Sequence, residues 1–474
     1  MSKIAIIGGG VAGATSALYL GKLGLNVTLF EKESSLVSGP PFCHLHAGGN
    51  LYREISDTQC ITLLKQSIAF LRFYPYIVDY RPTVIVLPKS DKSTPKALLS
   101  RLELLKNEYK NLIKIDSKNQ VLGSSDEYYQ LYTKEKLLEL KKRNILKNPK
   151  KSDEWMVSVA KNIDMDRVQF PFILVQEYGL NLFRLASGLR LELEGLNSVK
   201  LHTNSIVTDI KYIDNKFKLT YKKDSFIEED FDYIINSAGF RTGKIDDMLD
   251  VPCKSMVEFK SAYISHCDSY IDSYFPEIIF HGERGTPQGM GQFTPYPNGH
   301  FQLHGMTNSI TLYEDGLVAN STTSCQPKLK QKFIKKIENS WSKEEISERT
   351  LSAIEHISKF LPSFSKAKVA SKPLFGAQQI VGDDPTLRVA EVSFPIANYA
   401  RCEIVKVSSV LDMIYAIVKD FVKLGFIDKA LLEKIYFDSS HLKEDDIEAL
   451  ARSIALEREY PSCLANRSVE NYYI

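Results

Sequence analysis

The residues best suited to chemistry gather first at the N-terminus. Gly8-Gly9-Gly10-Val11-Ala12-Gly13 puts Gly8, Gly10 and Gly13 in G-x-G-x-x-G register, directly after the apolar run Lys3–Ile7, and Glu31 closes a second apolar run, Asn26–Phe30. Each type has a physical use. Gly8 permits a tight turn, Gly10 lets a pyrophosphate approach the backbone, and Gly13 lets helix and strand pack closely. A helix starting there offers unpaired N–H groups and a positive dipole end to phosphates. Glu31 lies 18 residues past Gly13, close to the spacing of about 20 at which a carboxylate accepts hydrogen bonds from a ribose diol. An acid at that place, not an arginine, argues for NAD or FAD over NADP.

The elements that must position these residues are legible around them. Lys3–Ile7 reads as a buried parallel strand, residues 14–23 as a helix and Asn26–Phe30 as the next strand. Ser38-Gly39-Pro40-Pro41 is a turn by its breakers, followed by a helix over 57–73 and a strand at 83–87. Residues 89–165 are lysine-rich, with helical patterns at 95–113 and 126–143, and the basic run at 141–151 reads as a solvated helix end and loop. A long amphipathic helix over 177–196 precedes successive strands at 199–221 and 231–236. Residues 256–306 alternate as a β-sheet does, with Pro297-Asn298-Gly299 as a hairpin turn. Helices at 327–341 and 343–361, strands at 369–375, 387–392 and 401–407, and a helix over 408–424 complete the pattern before two last helices.

Bulk properties narrow the class. A chain of 474 residues is too long for one core and divides into two or three domains. Sixty Lys+Arg against 58 Asp+Glu give a net charge of +2, which attracts neither nucleic acid nor an anionic membrane strongly. No export signal and no apolar stretch of about 18 residues is present, so no membrane span is expected. The seven cysteines are scattered and never in C-x-x-C, which excludes the usual zinc spacing and leaves no metal site to expect; free thiols fit a reducing cytoplasm.

These pieces, in this order, resemble the D-amino-acid-oxidase-like flavoproteins. YIINSAG at 233–239 resembles the family's second strand and turn, V-V-N-A-A-G, and FTPYPNGHFQLHGMT at 293–307 resembles its flavin-roofing hairpin. LHAGGNLY at 45–52 resembles I-H-A-G-x-x-Y of L-2-hydroxyglutarate dehydrogenases and W-H-A-A-G-x-x-x-Y of dimethylglycine and sarcosine dehydrogenases. The resemblance implies FAD. It implies contacts from Gly8, Gly10, Val11, Ala12, Gly13, Glu31, Lys32, Val207, Ser237, Ala238 and Gly239, and from His46, Ala47 and Gly48 beside the ring. His46 there would bond covalently to the ring methyl, act as a base, or hydrogen-bond to it. Gln378 or Gln379 stands where many amino-acid oxidases carry an arginine, a departure that argues against simple D-amino-acid oxidase activity.

The expected architecture is therefore α/β. A discontinuous Rossmann-like FAD-binding domain (1–88, 196–255, 362–427) carries an antiparallel-sheet α+β substrate domain (89–195, 256–361) and a C-terminal helical extension (428–474). The expected activity is hydride removal from a small amino or 2-hydroxy acid to the flavin, with oxygen, a quinone or a carrier as electron acceptor and no nucleic-acid partner. An oligomer is compatible with the sequence. The alternatives are a flavin-dependent tailoring enzyme on a larger substrate and a flavoprotein with a partner-binding role. A carboxylate substrate calls for a guanidinium fork; Arg401 and Arg53 are the candidates, with Arg284 and Arg388 behind them. His304, alternating with Phe301 and Leu303, is the second candidate acid–base group beside His46.

Overall fold

The structure is a computed structural model that describes residues 2–39, 43–44, 55–432, 439 and 441–469. At its centre lies strand β1 (Lys3–Ile7), whose Ile4, Ala5 and Ile6 are fully buried, as a continuous apolar strand covered on both faces should be. Helix α1 (Val11–Lys22) follows, then β2 (Asn26–Phe30). The sheet runs Val392–Ser393, Tyr399–Cys402, Tyr233–Asn236, β1, β2, Val199–His202, all parallel except the first pair. Small residues bring α1 down onto the sheet: a Cβ on Gly21 would sit 2.3 Å from Val199 Cγ2. The opposite face is covered by a three-stranded antiparallel sheet (Ile206–Ile213, Lys216–Lys222, Phe226–Phe231), which shares an apolar cluster with Ala5, Ile7 and Phe30.

A larger, mostly antiparallel sheet forms the second layer. Its long strand Ser255–His266 pairs with Leu374–Val381 and His300–Gly305, and the latter closes a hairpin with Gly291–Tyr296. At the turn Asn298 and Gly299 both have positive φ, +58° and +67°, as a tight hairpin requires. Strand alternation splits the sheet chemically. Tyr263, Phe293, Phe301 and Leu303 face the helix Lys343–Ser358 through its Ala353, Ile354 and Ile357. On the other face, Ile264, Tyr296 and Leu374 join the apolar cluster of α1 and β1.

Several elements differ from the sequence reading. Thr83–Val86 pairs in the larger sheet, parallel to Glu277–Phe280. Tyr129–Tyr132, expected within a helical stretch, is an edge strand on Phe172–Val175; its partner lies some forty residues away, which no local pattern reveals. The amphipathic helix begins only at Leu182, capped by the side chain of Asn181, and it packs against α1. The last helix (Glu444–Glu457) buries Ile447, Ala451 and Ile454 in that same core. Among the described residues, no helix is long and apolar enough to cross a membrane.

Candidate functional site

The turn after β1 is built as a cradle. Gly8 holds φ +101°, and a Cβ there would lie 2.5 Å from Ser237 O. At Gly13 a Cβ would lie 1.9 Å from Gly8 O, so turn and helix touch backbone to backbone. Gly10 is the opposite case: a Cβ would meet nothing within 4 Å among the described residues. Gly10 begins α1 with no side-chain cap and no acid in the first turn, so the first N–H groups of the helix, with its positive dipole end, lack a side-chain acceptor there. Beside it, Ser237 Oγ donates to Gly8 O (2.9 Å) and Ala238 N donates to Asn236 Oδ1 (3.3 Å). Gly239 (φ +60°) likewise has open space where a Cβ would be.

Glu31 is 5 % exposed. Its Oε2 accepts from Gly9 N (2.6 Å) and its Oε1 from Glu33 N (2.8 Å). Burial pushes its carboxyl pKa up, while those two N–H groups favour the charged form. The carboxylate is thus aimed by backbone, with lone pairs left over for hydroxyl donors. Val207 is the second residue of the small covering sheet's first strand, two residues after Ser205, whose N–H donates to Glu31 O (2.8 Å). Lys32 pairs with Glu33 at the surface.

The larger sheet turns a polar row toward this side. Glu258 and Lys260 share a face with Ile264, and Gln302 and His304 share it on the neighbouring strand, opposite Thr294 and Gln292. Lys260 Nζ donates to Glu258 Oε2 (2.8 Å) and Gln378 Oε1 (3.1 Å), and Arg284 caps the same carboxylate. Burial pushes the Lys260 ammonium down to about 8, against the pull of Glu258 and with the Arg284 and Arg388 charges adding to the push. Burial alone would raise Glu258, but Lys260 and Arg284 hold it below the usual carboxylate range. Further along the sheet, Arg81 is buried between Glu277 (3.3 Å) and Asp79 (3.4 Å).

Of the other expected residues, Arg401 sits on Tyr399–Cys402, with its Nε 3.5 Å from Asp246 Oδ2 and its Nη2 donating to Pro252 O (3.3 Å). It lines a hollow of about 30 Å³ with Thr242, Asp246 and Gln379. Burial pushes Asp246 up to about 6 despite the Tyr399 hydroxyl and Arg401. Arg401 is therefore engaged beside the dinucleotide sheet and does not stand in the Lys260 row. His46, Ala47, Gly48, Tyr52 and Arg53 lie outside the described residues. The sequence reading missed Lys260, Glu258, Arg81 and Glu277. The available signal was charge at alternate positions, Glu258 and Lys260, of a strand with no other Asp, Glu, Lys or Arg.

Residues 3–139 match the family described as FAD dependent oxidoreductase, or DAO. No curated protein matches the chain. Among solved structures, glycine oxidase from Geobacillus kaustophilus superposes with a TM-score of 0.55 at 13 % identity, over 93 % of this chain and 98 % of that one. The L-amino acid deaminase from Proteus vulgaris gives 0.56 at 12 %, covering 92 % and 97 %. A glycerol-3-phosphate dehydrogenase from Bacillus halodurans, complexed with FAD, gives 0.56 at 12 %, covering 98 % and 73 %. At these identities the likeness is one of fold. The residues present fit an FAD: the open faces at Gly10 and Gly239 leave room for its pyrophosphate, and Glu31 is held ready for a ribose.

Proposed function

From the D-amino-acid-oxidase-like architecture of this chain, we propose that it is an FAD-dependent oxidoreductase acting on a small amino or 2-hydroxy acid. The observation that carries the reading is the pairing of two half-sites. One is a phosphate cradle with an aimed carboxylate at Gly8–Gly13 and Glu31. The other is a sheet face presenting Lys260 beside Glu258, with Arg284 reaching the same carboxylate from a loop and the charge of Arg388 felt at Lys260. That cationic excess favours an anionic substrate. Bound FAD would supply the acceptor for a hydride taken from the carbon beside the amine or hydroxyl. The Lys260 ammonium would hold the substrate's acid group. Gln302 and Gln292 would orient its polar atoms, and His304, on the same face, would take the proton from nitrogen or oxygen.

An anaerobic bleaching screen over amino, N-methylamino and 2-hydroxy acids tests this. Loss of flavin colour with one class is expected; bleaching by NAD(P)H alone, with none of the acids, would overturn it.

A pH dependence follows from Lys260. The ammonium exists below about 8 and is lost as pH rises through that value. We therefore expect kcat/KM for the acid to fall on the alkaline side of about 8. Lys260→Met should raise KM by about tenfold or more, the order of one lost charge-assisted hydrogen bond, and should remove that alkaline limb. Unchanged KM and pH profile in the variant would dismiss the assignment of Lys260.

A further inference from the structure

The residues just past Glu33 are gripped from the far end of the chain. Arg458, immediately after the last helix, donates to Ser35 Oγ from Nε (3.2 Å) and Nη2 (2.9 Å), to Val37 O from Nη1 (3.0 Å), and to Leu36 O from Nη2 (2.6 Å). Its neighbour Glu457 accepts from Ser34 Oγ (2.8 Å). Ser35, Leu36 and Val37 are all buried. Val37 holds φ +53°, a region that β-branched residues avoid and that persists only where the surroundings enforce it. What it achieves is visible on the other side of the segment. Val37 N donates to Gly9 O (2.9 Å), while Gly9 N donates to the Glu31 carboxylate (2.6 Å). Leu36 Cδ2 would stand 2.7 Å from a Cβ on Gly9, so the segment is packed directly against the middle peptide of the glycine turn. One chain of hydrogen bonds therefore runs from Arg458 through Val37 and Gly9 to Glu31.

We infer that Arg458 is a positioning residue for the adenosine half of the dinucleotide, and that the C-terminal helix serves to hold the Gly9–Glu31 geometry. Without the guanidinium, two buried carbonyls and a hydroxyl lose their donors. Val37 then has no reason to stay strained, and the Gly9 peptide and Glu31 carboxylate lose their fixed aim. The inference rests on the FAD reading above.

The test uses flavin-free full-length protein titrated with FAD and, separately, with ADP, which lacks the flavin. Arg458→Ala is expected to raise Kd for both by about tenfold or more, and Arg458→Lys to recover part of the loss. The control is Ile447→Ala, which weakens the same helix at its buried face. It should lower the melting temperature yet leave both Kd values within about twofold. Wild-type Kd values in Arg458→Ala would overturn the inference, as would an equal weakening by Ile447→Ala at an equal loss of melting temperature. If Arg458→Ala does not fold, Arg458→Lys decides: its two ligand affinities must fall by about threefold or more, and wild-type values overturn the inference. Wild-type protein that binds neither FAD nor ADP would instead remove the FAD reading itself.

Discussion

The Gly10→Val variant is expected to fold with a melting temperature near that of the wild type and to be purified without FAD. Gly10 has ordinary φ/ψ (−64°, −175°) and a Cβ there meets nothing within 4 Å among the described residues. A side chain therefore costs the fold about 1 kcal/mol or less at this helix start, yet it fills the space a pyrophosphate must enter. Gly13→Ala should do the reverse. Its Cβ would lie 1.9 Å from Gly8 O and 2.4 Å from Ser237 Oγ, so helix and turn must separate, at the cost of overpacking a core contact, about 1–3 kcal/mol or more. Thermal melts together with flavin content per protein check both. A yellow, fully loaded Gly10→Val protein would refute the assignment of the cradle, and an unshifted melt for Gly13→Ala would refute the packing argument.

The second large effect is on stability. Arg81 is 3 % exposed and joins Glu277, Asp79 and Pro295 O. Gln292 donates to Glu277 Oε1 (2.8 Å), and Ser468 donates to both oxygens of Asp79. This one guanidinium thus ties the segment before Thr83–Val86, the larger sheet and the C-terminal segment together. Arg81→Ala leaves two carboxylates buried without their cation, a loss of about 3–5 kcal/mol, which for a chain of this size lowers the melting temperature by about 3–5 °C. Removing charge on both sides, as in Arg81→Met with Glu277→Gln, should recover part of it, because the stranded charge is the main penalty. Differential scanning calorimetry on the three proteins checks the order wild type, double variant, Arg81→Ala; a double variant no better than Arg81→Ala would contradict it.

Much of the molecule was readable from sequence, and for an identifiable reason. The first thirty-one residues specify strand, turn, helix, strand and acid through patterns that act over fewer than about twenty residues: an apolar run, glycines at fixed spacing, a helical repeat, an acid after the second run. The hairpin at 297–299 was legible for the same reason, since turn chemistry is local. That 233–239 resembles a second strand and turn of the family rested on motif order; that this strand lies beside β1, Ile4 in parallel register with Tyr233, is seen only in the fold.

Where charges meet was decided only by tertiary structure. Lys260 and Glu258 are two positions apart, and their alternation says that they share a strand face. Which layer that face meets depends on Ile264 and Leu374 packing into the cluster of α1 and β1. Arg401 was a candidate partner for a substrate carboxylate from the sequence; the fold brings the carboxylate of Asp246, more than 150 residues earlier in the chain, within 3.5 Å of its Nε. Arg81 with Glu277 is separated by 196 positions and Arg458 with Ser35 by 423. By itself the sequence determined the glycine turn between strand and helix and the periodicity of its sheets, because those are set by neighbours along the chain. Which buried charges are paired was set by contacts between distant segments, whose geometry no local pattern encodes.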